Sequence, residues 1–443
     1  MSDSGNGPSS GPTDGSRAAR RRALANEQRL VALGEAVDRQ NGNAPKRHRR
    51  PRRKGRIWLI SGLSVVVIIV GVIGGGYIYA NYQFDKIPKI TVKGEVKPIS
   101  GKPFNILMIG SDSRAGLTGL VARQTGATVG AAGGQRSDVV KIVHVDPELG
   151  TISMLSIPRD TMTTLLANQN LYGKFNRINV NFGNGPSLLA QTITANFGIP
   201  INDTIVVSFA GMINAADTIG GVYLDFPYPA RDLYSGLKIT HTGCQQITGF
   251  EALAVVRSRH YEWFENGVWN QDVTSDFGRI WRQNVFLRGM VERAKGLYNP
   301  LTINSFLSKL PQGIALDNNF SLNELIGLAV KFHAINPNAI QTITMPDVPG
   351  TYNGQDVEFV QEPEAQEALV KMFGSQLLTP TNPQPNASLA TPLPPHIAVP
   401  TTTTTLKHVT TTTKRVGPPP TTTTTTTIPP EGDQFFDPRI CTP

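Results

Sequence analysis

Apolar positions fall along this chain in three patterns, and each predicts a different kind of element. Residues 57–80 are apolar without one charged side chain. Short runs at 104–109, 139–145, 151–157, 204–209 and 222–226 have the length and β-branched content of buried strands. Longer stretches at 186–196, 211–219, 248–256, 277–295, 322–334 and 362–373 read as helices. Strands interleaved with helices predict an α/β domain over residues 100–374, a single layered unit with a central β-sheet flanked by helices. The runs at 139–145 and 151–157 are joined by Asp146-Pro147-Glu148-Leu149-Gly150, a hairpin turn, so the sheet is expected to be mixed.

The 57–80 run, at about 1.5 Å per residue, spans about 36 Å against a hydrocarbon core of about 30 Å. It is read as one N-terminal transmembrane helix. The chain carries 42 Lys+Arg, 33 Asp+Glu and a net charge of +9, but residues 1–56 alone hold 14 basic against 5 acidic side chains. The remainder is neutral, so the basic character belongs to the membrane flank and excludes a nucleic-acid surface on the folded part. Positive-inside bias places residues 1–56 in the cytoplasm, against anionic lipid and disordered apart from a short helix near 21–37. Everything after the span is then extracytoplasmic: a linker at 81–99, the domain at 100–374, and a Thr/Pro-rich disordered tail at 375–443. Cys244 and Cys441 both fall outside, where a disulfide is permitted; whether they pair is open from sequence.

The densest candidate chemistry is Arg257-Ser258-Arg259-His260 followed by Asp276-Phe277-Gly278-Arg279-Ile280-Trp281-Arg282-Gln283. In an extended segment Arg257 and Arg259 share a face, and on a helix Asp276, Arg279 and Gln283 share another. Thr248-Gly249-Phe250-Glu251 reads as a capping box, and Ser275 or Asp276 as the cap of the next helix. Guanidiniums this close repel by about 4 kcal/mol at 4 Å and an effective dielectric of 20, so they need carboxylates or a polyanion between them. Arg is also the side chain whose fork fits phosphate. Asp112 and Asp138, at the ends of neighbouring strands, are hard oxygen donors suited to Mg²⁺. A hydrolase built on Ser111 or Ser113 with His144 or His260 is the rival drawn from nucleophiles.

Together these motifs resemble the LytR-CpsA-Psr family, through Gly-Ser-Asp-Ser-Arg at 110–114, Arg-Ser-Asp at 136–138, Ile-Pro-Arg-Asp at 157–160, Lys-Phe-Asn at 174–176, Arg-Ser-Arg-His at 257–260 and Asp-Phe-Gly-Arg-x-x-Arg-Gln at 276–283. The resemblance implies a phosphotransferase that moves a glycopolymer from a polyprenyl-pyrophosphate carrier onto a peptidoglycan hydroxyl, with arabinogalactan attachment as the analogy for a high-GC Gram-positive organism. It implies Asp112 and Asp138 on Mg²⁺ (or Mn²⁺), and Arg136, Arg159, Arg257, Arg259, Arg279 and Gln283 on the pyrophosphate. Asp160 and Asp276 would orient arginines and Lys174 would support the site, although the lysine motif departs from the family pattern. Asp138 or Asp112 is the expected base. A polyprenyl-pyrophosphate pyrophosphatase shares every site residue, and a non-catalytic lipid-glycan binding or regulatory module shares the arginines alone.

Overall fold

The structure, a computed structural model, describes residues 14–40, 74–113, 117, 122, 137–296, 300–385, 387–389 and 434–442. Residues 14–40 belong to one unit, and there helix α1 (Asp14–Gln40) runs well beyond the 21–37 expected. The second unit begins at Gly76 and carries the fold. Among the described residues no helix is long and apolar enough to cross a membrane. The basic block at 46–56 and residues 57–73 of the apolar run lie outside them.

Seven strands form the central sheet in the order β1 (Lys89–Ile90), β14 (Ile314–Asp317), β7 (Asp203–Val207), β2 (Phe104–Ser111), β3 (Ser137–Asp146), β4 (Thr151–Ile157) and β15 (Gln341–Thr344). β3 is antiparallel to both β2 and β4, whereas β2–β7 and β4–β15 are parallel, so the sheet is mixed as the 146–150 turn predicts. Alternation then sorts the side chains. Leu107, Ile109, Val140, Ile142, Leu155 and Ile157 face helices α2 (Pro186–Phe197) and α7 (Glu364–Phe373), through Leu189, Ile193, Phe197, Leu369 and Phe373. Each such side chain contributes about 1.5–3 kcal/mol by leaving water. A second core joins α3 (Phe209–Thr218), α4 (Gly249–Arg257) and α5 (Asp276–Ala294) to β8 (Val222–Phe226). Helix α6 (Leu322–Phe332) packs Leu322 with Phe104 and Ile106.

Smaller sheets surround this frame. β5 (Met162–Thr164) pairs with β6 (Phe175–Arg177), and β16 (Asp347–Tyr352) forms a hairpin with β17 (Gln355–Val360). β9 (Ala230–Asp232), β10 (Leu237–Ile239), β12 (Glu262–Glu265) and β13 (Val268–Gln271) make a four-stranded sheet. β8 lies between β11 (Gly243–Ile247) and β18 (Arg439–Ile440).

Three expectations need correction. Residues 81–99 are not a free linker, because Phe84 and Ile87 are core residues and β1 pairs with β14. Tyr77 and Tyr79, inside the apolar run, donate to Asn323 and Asn304 at 2.8 Å each, so the run's end belongs to the domain. The described end of the chain also folds back: β18 pairs with β8, Cys441 is bonded to Cys244, and Phe436 stacks on Trp263 at 3.9 Å. An aromatic pair and a cysteine suffice to dock a segment whose average composition is Thr and Pro. The Thr tracts themselves lie outside the described residues.

Candidate functional site

The strand directions gather the first residues. Because β2 and β4 both run opposite to β3, the ends of the first two and the start of β3 share one edge of the sheet. Asp112, Asp138 and Arg159 stand there. A register shift at Gly110/Ser111 accommodates the close approach of β2 to β3, and a Cβ on Gly110 would lie 2.7 Å from Val139 Cβ, so the glycine is required. Helix α5 brings its first turn to the same edge. Gly278 lets it pack, since a Cβ there would meet Asp272 Oδ2 at 2.2 Å.

The segment after α4 is pinned by the serine between its arginines. Ser258 is fully buried; its hydroxyl donates to Asp232 Oδ2 at 2.7 Å and its carbonyl accepts from Arg282 Nη2 at 3.0 Å. With Ser258 held inward on extended backbone, period two turns its neighbours the other way. Neither predicted cap is made by a side chain: Thr248 and Ser275 occupy the N-cap positions of α4 and α5 without a side-chain hydrogen bond. Asp276 instead spends its carboxylate on arginines.

A lattice of alternating charge results. Asp276 Oδ1 lies 2.8 Å from Arg259 Nε and 3.0 Å from Arg279 Nη2. Arg279 Nη2 also donates to the Asp138 carbonyl at 3.0 Å, and Arg159 Nη1 donates to Asp138 Oδ1 at 2.9 Å. Arg159 Nε reaches Asp160 Oδ2 at 3.1 Å, and Asp160 Oδ1 accepts from Arg177 Nη1 at 3.2 Å. The acids separate like charges, which is what permits four guanidiniums to fold together. Arg259 Nη2, Arg279 Nε and Arg177 Nε remain buried donors with no hydrogen-bond partner among the described residues. Buried donors without acceptors cost about 1–3 kcal/mol each, and an anion bound here would satisfy them.

The field of this lattice is visible in its members. Burial pushes the Asp138 carboxyl up, but Arg279, Arg159 and Arg259 outweigh it and hold the group below the usual carboxylate range. Burial draws the Arg279 guanidinium down to about 10 against the pull of Asp276, so it stays cationic at neutral pH. A carboxylate held below its usual range accepts protons less readily, which speaks against Asp138 as the base.

Other expected residues are placed differently. Gln283 is buried beside the lattice, with its amide donating to the Val256 carbonyl at 3.1 Å. Arg257 lies over the Phe209 ring at 4.9 Å. Lys174 is exposed and sits over Phe175 at 5.1 Å. Arg136 lies outside the described residues. Arg177, which directly follows the Lys-Phe-Asn motif at 174–176, is a lattice member that sequence reasoning passed over; adjacency to that motif was its signal. Asp347 and Glu358 were missed entirely and stand next to the lattice.

The serine hydrolase rival finds no geometry. His144 Nδ1 contacts Asn105 Oδ1 at 2.7 Å inside the core, and His260 lies against Tyr234 with ring centroids 4.4 Å apart. Ser111 Oγ accepts from the Ser113 backbone. Of the aromatic side chains between positions 261 and 269, Tyr261 and Trp263 pack inward, whereas Phe264 and Trp269 stay partly exposed, with Arg231 over Trp269 at 3.9 Å.

For a divalent cation, Asp112 and Asp138 supply two carboxylates from adjacent strands, and carboxylate oxygens are the donor type that Mg²⁺ takes. Among the described residues no group of three His, Cys, Asp or Glu is arranged to hold a metal.

A mixed sheet flanked by helices, with guanidiniums gathered where β2 and β4 end and β3 begins, is a fold of the layered α/β class. The LytR_cpsA_psr family model matches residues 78–373, and the chain belongs to that family. It is 27% identical over 323 residues to the polyisoprenyl-teichoic acid–peptidoglycan teichoic acid transferase TagV of Bacillus subtilis, covering 70% of this chain and 75% of that protein. It is 29% identical over 252 residues to the probable cell wall biosynthesis protein LcpB of Corynebacterium glutamicum, covering 56% of this chain and 55% of that one. Among solved structures, a LytR-Csp2A-Psr enzyme from Actinomyces oris shares the fold, with a TM-score of 0.52, 20% identity, and coverage of 67% of this chain and 97% of that one.

Proposed function

We propose that this chain is a membrane-anchored phosphotransferase that moves a glycopolymer from a polyprenyl-pyrophosphate carrier to a hydroxyl of peptidoglycan. The observation that carries the reading is the lattice of Arg159, Arg177, Arg259 and Arg279, in which Arg177 Nε, Arg259 Nη2 and Arg279 Nε are buried donors without a hydrogen-bond partner among the described residues. A diphosphate is the ligand whose charge and oxygens match such donors, and relatives named as polyisoprenyl-teichoic acid transferases support the donor class. Arabinogalactan as the cargo rests on analogy.

In this mechanism Arg159, Arg259 and Arg279 bind the diphosphate oxygens and stabilise the charge that grows on the leaving phosphate. Arg136, Arg257 and Gln283 would add contacts to the same anion, and Asp160 and Asp276 fix the angles of the arginines they touch. Asp112 and Asp138 would hold Mg²⁺, or Mn²⁺, which when bound neutralises phosphate charge. The uncharged apolar stretch ahead of the domain would anchor it outside the membrane with the basic arm inside.

The test is transfer by the full chain in detergent, supplied with a short-chain polyprenyl-pyrophosphoryl sugar, peptidoglycan fragments and Mg²⁺. Linked product should form and should fall by about 10²-fold in Arg259→Ala, the scale of losing one preorganised oxyanion donor. Release of free sugar phosphate without linked product would favour the pyrophosphatase. Unaltered transfer by the variant would remove the arginine lattice from the mechanism.

A further inference from the structure

Acceptor chemistry needs a group to take the hydroxyl proton, and the hairpin β16–β17 presents one. Its register pairs Asp347 with Val360 and Pro349 with Glu358, so the two acids share a face. The opposite face, with Val348, Val357 and Phe359, packs on Met162 and Phe175 of the β5–β6 pair. Packing of that apolar face turns both carboxylates away from the small core, on the side where Asp276 acts on both of them.

The hairpin is also tied to the lattice through backbone. Glu358 N donates to the Asp160 carbonyl at 3.0 Å, and Glu358 bridges to Thr161. This holds Glu358 beside the turn that carries Arg159 and Asp160. The charged groups facing it are Asp347 and Asp356 from its own hairpin, Asp160 from the turn after β4, and Asp276 from α5. The last two are themselves bound to Arg159, Arg177, Arg259 and Arg279. Among the described residues, Glu358 Oε2 and both oxygens of Asp347, which is 6% exposed, are buried without a hydrogen-bond partner.

We infer that Glu358 is the general base of the transfer, the carboxylate that accepts the proton of the incoming glycan hydroxyl. The inference rests on the transferase reading above. The hydroxyl O–H bond breaks as its proton passes to a Glu358 oxygen. The electron pair left on the glycan hydroxyl oxygen forms the new P–O bond to the glycosyl phosphorus. The P–O bond to the carrier breaks, and its pair leaves with polyprenyl phosphate, whose charge the arginines receive. Burial, then Asp160, Asp276 and Asp356, lift the Glu358 carboxyl to about 7, which suits a base working near neutrality. Burial, Glu358 and Asp276 lift Asp347 to about 9, so it stays neutral and adds no charge to the acceptor site at that pH.

The experiment is the pH dependence of transfer by the full chain in detergent, for the wild type, Glu358→Gln and Glu358→Asp, with binding of the short-chain polyprenyl-pyrophosphoryl sugar measured in parallel. The wild-type rate should rise as pH increases through about 7, as the base ionises. Glu358→Gln should bind donor within about twofold yet lose about 10²-fold in kcat and lose that rise. Glu358→Asp should recover part of the rate together with a pH-dependent limb. A Gln variant retaining kcat within about threefold and the same limb would overturn the assignment, as would an Asp variant no better than Gln when both bind donor normally. Absence of transfer by the wild type at every pH would overturn the transferase reading and this inference with it.

Discussion

Arg282 Nη1 lies 2.7 Å from Asp437 Oδ1, which ties the helix bearing Arg279 and Gln283 to a residue 155 positions further along the chain. Arg282 is fully buried and its second carboxylate partner, Asp272, is 2.9 Å away. Removing one partner leaves a buried charge undercompensated, at a cost of about 3–5 kcal/mol. Asp437→Ala should therefore lower the unfolding midpoint in urea by a corresponding amount. It should also weaken donor binding, because α5 positions the arginines. An unchanged midpoint would mean the docked tail carries no load.

The Cys244–Cys441 bond closes a loop with a sequence separation of 197 residues. Loop-closure entropy assigns a bond of that span about 5 kcal/mol, acting on the unfolded chain. Reduction, or Cys441→Ser, should lower Tm by several degrees and expose the Trp263–Phe436 stack, read as a change in tryptophan fluorescence. Equal Tm in oxidised and reduced protein would count against this.

Asp276 separates Arg259 from Arg279. Asp276→Ala leaves two guanidiniums facing one another, and the repulsion, of order 4 kcal/mol at contact distance, should appear as lost stability. Inorganic pyrophosphate at millimolar concentration should restore more Tm in this variant than in the wild type, since the anion replaces the missing charge. Equal shifts in the two proteins would separate Asp276 from the anion site.

Asp203 is fully buried on β7 with neither oxygen hydrogen-bonded among the described residues, and burial, then Glu324, Asp317 and Glu95, raise its carboxyl to about 8. The folded state thus holds a proton that the unfolded chain releases near pH 4. Stability contributed by the neutral acid is present at low pH and is lost as pH rises toward 8. Asp203→Asn should gain Tm over the wild type progressively between pH 5 and pH 8. A gain independent of pH would contradict the assignment.

The parts of the site that were legible in the sequence are those where chemistry is crowded into a few adjacent positions. Arg257 to His260 and Asp276 to Gln283 announce an anion site because packing alone does not call for so much charge. The Asp276–Arg279 pair follows from helical spacing. Asp347 and Glu358 gave no such sign, because one acid in an alternating strand is indistinguishable from a solvated one until the partner of that strand is known. Phe436 and Asp437 were hidden for another reason: the composition of a long Thr/Pro segment outweighs six residues at its end.

Hydrophobic periodicity and turn residues are properties of neighbours along the chain, so the sequence alone determined the strands at 104–109, 139–145 and 151–157, the helices that cover them, and the mixed character of the sheet. Which charges meet is a property of neighbours in space. Only the tertiary structure decided that Asp276 serves Arg259 as well as Arg279, that Arg177 joins Asp160, that Glu358 stands beside them, and that Asp437 closes on Arg282. Coulomb energies and desolvation depend on separation and burial, and neither quantity exists until the chain has folded.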